Sequence, residues 1–138
     1  MAGESIMFSG PVDKIPAGYL VEDGAAVGRV AYATLFAAIG TTYGAGDGAT
    51  TFNLPDSRGE FWRGLDLGRG VDAGRVLGSF QGDEIKAHDH QYEAIGVGSV
   101  IGDGVFNGLK GGGAKRTGGA GGSETRPRNI PKIPLIKY

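Results

Sequence analysis

Apolar residues in this chain come in short bursts cut by glycine, proline and aspartate, a pattern of brief strands and turns with room for one helix. Ile6 to Phe8 reads as a strand ended by Gly10-Pro11, and Tyr19-Leu20-Val21 as another. Asp23-Gly24, after the second, is a hairpin-type dipeptide. From Ala31 to Ile39 the period lengthens. Tyr32, Leu35, Phe36 and Ile39 fall on one face at helical spacing, and Gly40 stands where a left-handed cap would end the helix. Tyr43 to Gly48 can only be an irregular loop, after which Thr51-Phe52-Asn53-Leu54 alternates as a strand until Pro55-Asp56.

A second region starts near Gly64. Leu65 to Gly74 is rich in Gly, Asp and Arg and reads as a loop; Val76 to Phe80 and Ile85 to Ile95 each offer a strand. Gly96 to Gly122 is about half glycine, with few apolar side chains, and reads as long loops between short strands or a segment ordered only on assembly or binding. The closing stretch, Arg126 to Tyr138, carries three prolines, which exclude a helix and predict an extended edge segment.

Composition sharpens this picture. Glycine supplies 28 of 138 residues, about three times the usual share, without the every-third-residue period of collagen. Each glycine adds backbone entropy to the cost of folding and nothing to the core, so burial between chains is the natural way to make up the deficit. A formal net charge of −1 and the lack of a dense basic run argue against nucleic acid as a partner. No apolar run approaches the roughly 20 residues of a membrane span, and Met1 to Ser5 lacks the basic and apolar regions of a signal peptide. The absence of cysteine removes disulfides and thiolate metal sites.

One run, Leu35 to Gly64, reads LFAAIGTTYGAGDGATTFNLPDSRGEFWRG. With Pro16-Ala17-Gly18-Tyr19-Leu20 and Asp23-Gly24 before it, it closely resembles the phage tail collar domain, densely from Phe8 to Gly64. Gly122-Ser123-Glu124-Thr125-Arg126-Pro127-Arg128-Asn129 is similar to the closing motif of many tail-fibre ends. Gly28-Arg29 departs from the pattern, standing where collar domains commonly place a Ser or Thr helix cap. The resemblance implies an adhesive rather than an enzyme, working as a homotrimer at the tip of a virion tail fibre, made in the host cytoplasm and acting outside the cell. Its expected target is bacterial surface glycan, above all lipopolysaccharide. A tail-fibre assembly chaperone is a further partner it allows. The chain then reads as a fragment or a very short fibre protein.

His88-Asp89-His90 is the sharpest local signal. On a strand, residues two apart share a face, so the imidazoles would project together. The tail-fibre resemblance implies His-x-His pairs from three chains ligating an axial metal. Six nitrogens suit octahedral Fe(II) better than the tetrahedral preference of zinc, which is the alternative; no organic cofactor is implied. The competing reading is a pair of histidines without metal. The Gly44 to Gly48 loop lacks the lysine and Ser/Thr of a phosphate loop, so its glycines read as turn formers.

Phe61 and Trp62 could stack on a sugar; the favoured reading is Phe61 inward and Trp62 on a subunit contact, with only one of the pair facing the core. Asp83, Glu84, Asp89 and Glu93 invite a glycosidase reading, but nothing in sequence fixes a carboxylate separation, and no nucleophile elbow accompanies them. Arg126 and Arg128 alternate across Pro127 and suit carboxylate pairing from chain to chain. The receptor contacts fall to the glycine-rich stretch and its approach: Tyr92 and Phe106 for stacking, Asp103, Asn107, Lys110, Lys115 and Arg116 for polar groups and phosphates. A mere spacer is the competing reading there. The expected fold is α+β, a small collar domain with one helix and short strands over residues 1–64, followed over residues 65–138 by a Gly-rich, mostly β or irregular, intertwined trimeric tip.

Overall fold

The structure, a computed structural model, describes residues 1–85, 87 and 125–138. The expected α+β character holds for this part. The elements are β1 (Ser5–Phe8), a 3₁₀ turn (Val12–Lys14), β2 (Tyr19–Val21), β3 (Ala26–Gly28), α1 (Ala33–Ile39), β4 (Thr51–Asn53) and β5 (Ile133–Lys137). They make a three-stranded sheet ordered β1-β5-β2 and a two-stranded sheet of β3 and β4. The chain divides into two compact units, one of Met1–Gln81 with Arg128–Tyr138, the other of Gly82–Pro127.

The closing segment is extended, as its prolines require, but it lies at the centre of the sheet and not at an edge. Ile136 pairs with both Ser5 and Leu20, and Leu135 with Ile6 and Val21, all antiparallel. A proline inside a central strand removes a ladder donor. Backbone groups of alternate residues face opposite neighbours: Lys137 N–H reaches Glu4 O at 3.0 Å, and the Pro134 carbonyl accepts from Glu22 N–H at 3.0 Å. The N–H that Pro134 lacks would therefore have met the Glu22 carbonyl, just beyond the end of β2. Ser57 N–H takes that place, at 3.1 Å. The central position is open to Pro134 because a loop supplies the missing donor.

Asp23-Gly24 does not close a hairpin. Its neighbours β2 and β3 belong to different sheets, so it turns the chain from one sheet to the other, with Gly24 at φ +76° and Asp23 bridged to Asp56. Helix α1 starts at Ala33, two residues later than its apolar period suggests, and among the described residues no side chain caps its first turn. A helix of seven residues is unstable alone, so packing must hold it. Leu35 is fully buried with Phe52, Leu54 and Ile136, while Leu20, Val27, Tyr32, Phe36 and Ile39 pack around them. The Phe36 and Phe52 rings sit 5.1 Å apart at 46°. All four residues of the expected helical face thus reach the core. Gly40 ends the helix at φ +56°, ψ −130°, outside the left-handed helical well but with its N–H on Phe36 O.

Directly after β2 lies Glu22, 1 % exposed. Its two carboxylate oxygens take hydrogen bonds from the hydroxyls of Ser5 on β1 and Ser57 in the loop after β4. One buried carboxylate thus joins three separate parts of the chain. Glu22→Ala leaves both hydroxyls without an acceptor and is expected to cost about 2 kcal/mol in urea unfolding. Glu22→Gln keeps one amide acceptor and should lose less. Equal losses for the two would mean that side-chain volume, not the hydroxyl pairing, is what matters there.

Candidate functional site

The surface of the larger unit is shaped by loops whose polar groups organise their own backbone. In the loop before β4, Asp47 accepts the N–H groups of Ala49, Thr50 and Thr51 at 3.0, 2.7 and 2.8 Å, and the Thr50 hydroxyl as well. The Thr51 hydroxyl answers by accepting Asp47 N–H at 2.8 Å, and Asn53 Oδ1 accepts Gly46 N–H at 2.9 Å. The Thr50 hydroxyl, and after it these backbone donors, hold the Asp47 carboxyl well below the usual carboxylate range. Gly46 sits at φ +61°, and a Cβ there would lie 2.2 Å from Thr51 Oγ1 and 2.7 Å from its carbonyl carbon. The turn-former reading of this glycine run is thereby met in detail.

Arg29, which the sequence marks only as a missing cap, ties this loop to the helix. Its Nε donates to Thr51 O at 2.9 Å, its Nη2 to Ala45 O at 3.3 Å, and its guanidinium lies 4.8 Å from the centre of the Phe36 ring. Farther along, Arg58 pairs with Asp56 at 2.7 Å and donates to Asp23 O at 3.1 Å. The hydrogen bond from Arg58 pulls the Asp56 carboxyl down.

The segment after Gly59 departs from expectation. Neither Phe61 nor Trp62 faces the core; both are exposed, because they lie outside any strand and no alternation operates. Val76 to Phe80 is not a strand but an irregular run with a turn at Gly78. Hydrogen bonds explain why: the Arg75 guanidinium donates to the Ser79 and Phe80 carbonyls at 2.9 and 3.3 Å, which curls the chain back on itself. Asp66 does the same for the preceding turn, accepting N–H groups from Gly70, Val71 and Asp72 at 2.8, 2.7 and 2.6 Å. Gly78 lies against the Tyr43 ring, where a Cβ would come to 2.8 Å of the ring edge. Burial, and then the nearby Glu22 charge, push the Tyr43 phenol up.

In the smaller unit, Asp83 Oδ2 accepts Thr125 N–H at 3.2 Å, joining two residues 42 positions apart. The candidate metal ligands His88 and His90 lie between them, outside the described residues, as do Tyr92, Asp103, Phe106, Asn107, Lys110, Lys115 and Arg116. Asp89 and Glu93 fall there too, so of the carboxylate group only Asp83 and Glu84 are described. Among the described residues no three His, Cys, Asp or Glu side chains converge on a common point. No helix among them is long and apolar enough to cross a membrane.

The Phage Tail Collar Domain family matches residues 3–62 of this chain. Protein RhiB of Rhizobium leguminosarum bv. viciae is 30 % identical over 148 aligned residues, which cover 93 % of this chain and 68 % of RhiB. The chain belongs to the phage tail collar domain family.

Putative uncharacterized protein StfE of Escherichia coli (strain K12) is 41 % identical over 75 residues, or 54 % of this chain and 36 % of StfE. The collar match contains β1 to β4 and α1 and stops at Trp62. It omits β5, the central strand of the collar sheet. Likeness to RhiB runs well past the collar match. The collar is a structural domain of tail fibres, and its presence with the likeness to StfE supports a protein of the phage tail-fibre type.

The Asp47 knot is open to a direct test. Thermal unfolding of Asp47→Ala should fall below wild type at pH 7, with Asp47→Asn between them, since its amide oxygen still accepts the backbone N–H groups. Unfolded, the carboxyl titrates near pH ~4; folded, it is held lower. Its stabilisation is therefore complete above about pH 4 and fades as the pH falls further. The gap between wild type and Asp47→Ala should narrow from pH 5 to about pH 3. A gap independent of pH would place the loop's stability elsewhere.

Proposed function

We propose that this chain is the receptor-binding tip of a tail fibre, acting as a homotrimer at the end of the virion fibre and attaching to bacterial surface glycan, with lipopolysaccharide as the target. The observation that supports this reading is where the candidate contact residues fall in the chain. Residues 82–127 are inserted between two parts of the collar unit, whose sheet closes only through β5. Both flanks of that insertion are thus tied to a packed unit, and recognition residues are commonly carried on loops held by a scaffold. Tyr92, Phe106 and the polar set Asp103, Asn107, Lys110, Lys115 and Arg116 supply stacking faces and phosphate-binding cations for a sugar-phosphate surface. Three copies per fibre would turn weak sugar contacts into firm attachment.

On this reading His88 and His90 from three chains hold one axial metal, Fe(II) in preference to zinc, whose role is to pin the chains where the apolar core is thin. Light scattering with elemental analysis of the same peak should give about three times 14.2 kDa and one metal ion per three chains. His88→Ala with His90→Ala should remove the metal; wild-type protein that assembles without iron or zinc would remove the axial site from the account.

Attachment is read by fluorescent binding to lipopolysaccharide-bearing cells. The Lys110→Ala, Lys115→Ala, Arg116→Ala triple variant should bind at least tenfold more weakly than wild type, about 1.4 kcal/mol or more. Wild type that binds no cells would favour a purely structural collar protein, and released reducing ends would favour a glycan-degrading one.

A further inference from the structure

The segment from Phe61 to Phe80 is built inside out. Its partly buried members are the charged Asp66, Asp72 and Arg75, while its large apolar side chains are exposed. Phe61, Trp62, Leu67, Val76, Leu77 and Phe80 all face outward, Leu67 at 88 % and Phe80 at 74 % exposure. A soluble surface has the opposite arrangement.

Four of the segment's five charges, Arg63, Asp66, Asp72 and Arg75, are engaged within it, and Arg69 is exposed. Asp72 pairs with Arg63 at 2.8 Å and lies 3.8 Å from Arg75. Arg75 also donates to the Ser79 and Phe80 carbonyls, and the Asp66 carboxylate is filled by backbone N–H groups. Covering the outer face would therefore bury apolar groups without stranding these ions. Backbone strain points the same way. Leu67 has φ +50° and is, among the described residues, the one non-glycine at positive φ. A leucine there is strained, yet its side chain is 88 % exposed, so no packing among the described residues repays the cost.

We infer that Phe61–Phe80 is an interface ribbon whose occupant is a second copy of this chain. The inference rests on the tail-fibre reading only for the number of copies. Area argues for the size of the contact: at roughly 200 Å² for a large side chain, the exposed fractions of the six residues add up to on the order of 800 Å², near the ~800 Å² per partner of a standard protein interface. Chemistry argues for the kind of occupant. Leu67, Val76 and Leu77 are aliphatic and offer a glycan no hydrogen bond, and of the segment's ions Arg63, Asp66, Asp72 and Arg75 already have partners within it, which leaves Arg69. An apolar face of the same sequence on another copy matches it. Five buried apolar side chains, Leu35, Phe52, Leu54, Leu135 and Ile136, make the core among the described residues, so burial between copies adds what the single unit does not hold.

The test uses the full chain, whose lack of cysteine makes any introduced thiol unique. Leu67→Cys and Val76→Cys are labelled with a soluble maleimide beside Val30→Cys, which lies outside the ribbon at 93 % exposure. Light scattering gives the mass of each sample. Assembled protein should label at least tenfold more slowly at positions 67 and 76 than at position 30. Leu67→Asp with Val76→Asp should fall to 14.2 kDa with its circular dichroism unchanged, since neither residue is in the collar core. Equal labelling at all three positions in an assembled protein overturns the ribbon and leaves the fibre reading standing. Protection in a 14.2 kDa monomer also overturns it, assigning the face to residues 88–124 of the same chain. Assembly that survives the double aspartate variant overturns it as well. Cell binding by wild type, measured in parallel, reports on the receptor reading independently.

Discussion

Strand β5 is the element on which the collar unit depends. Neither β1 nor β2 pairs with the other; each finds its hydrogen bonds only on the strand between them, and that strand is among the last residues of the chain. Leu135 and Ile136 bring two of the five buried apolar side chains among the described residues with them. Tyr138 then fastens the end, its N–H on Gly18 O at 3.0 Å and its ring edge-on to Tyr32 at 5.0 Å. The cost of this design is a long loop closure, since the chain from β4 to β5 must be brought back before the sheet exists. Its consequence is that everything inserted between Gln81 and Arg128 is held at both flanks by one packed unit.

A thin core and abundant glycine would ordinarily give a floppy surface. Here carboxylates replace much of the missing regular structure. Glu22 gathers two hydroxyls just after β2, Asp47 folds the loop before β4, Asp56 with Arg58 fixes the following turn, and Asp66 shapes the next. Except for the bonds at Glu22, whose partners are distant in sequence, these join neighbouring backbone or side-chain groups, so each of those loops is organised locally. Arg29 connects the local knots to the core by joining loop carbonyls to the Phe36 ring. The unit is thus held by a small apolar centre and a set of short polar closures around it.

Beyond Gly59 the same device runs in the other direction. Asp66, Asp72 and Arg75 turn inward onto partners within the segment, while its large apolar side chains stay outside. Such a surface suits the proposed contact between copies of the chain. The likeness to RhiB over 93 % of the chain means that the region beyond the collar match is shared with at least one relative too.

Much of the collar was legible in the sequence because its signals are local. The period of Tyr32, Leu35, Phe36 and Ile39, the alternation at Thr51 to Leu54 and the glycines of the Gly44 to Gly48 turn each report a backbone geometry set by nearest neighbours. What sequence could not place were relations between distant residues. Prolines in the closing segment predicted an extended edge, which is right for the backbone of Pro134 taken alone. Only the tertiary fold brought Ser57 N–H to the Glu22 carbonyl, and with that donor supplied the strand could sit at the centre. The alternation expected at Phe61 and Trp62 failed for a like reason: Arg75, Asp66 and Asp72 curl the segment through hydrogen bonds, and no sheet exists there to sort its faces. Local periodicity determined which residues form the helix and strands; pairing across the chain decided which strand is central and which apolar groups remain outside, because a hydrogen-bond partner far along the chain leaves no mark on the pattern beside it.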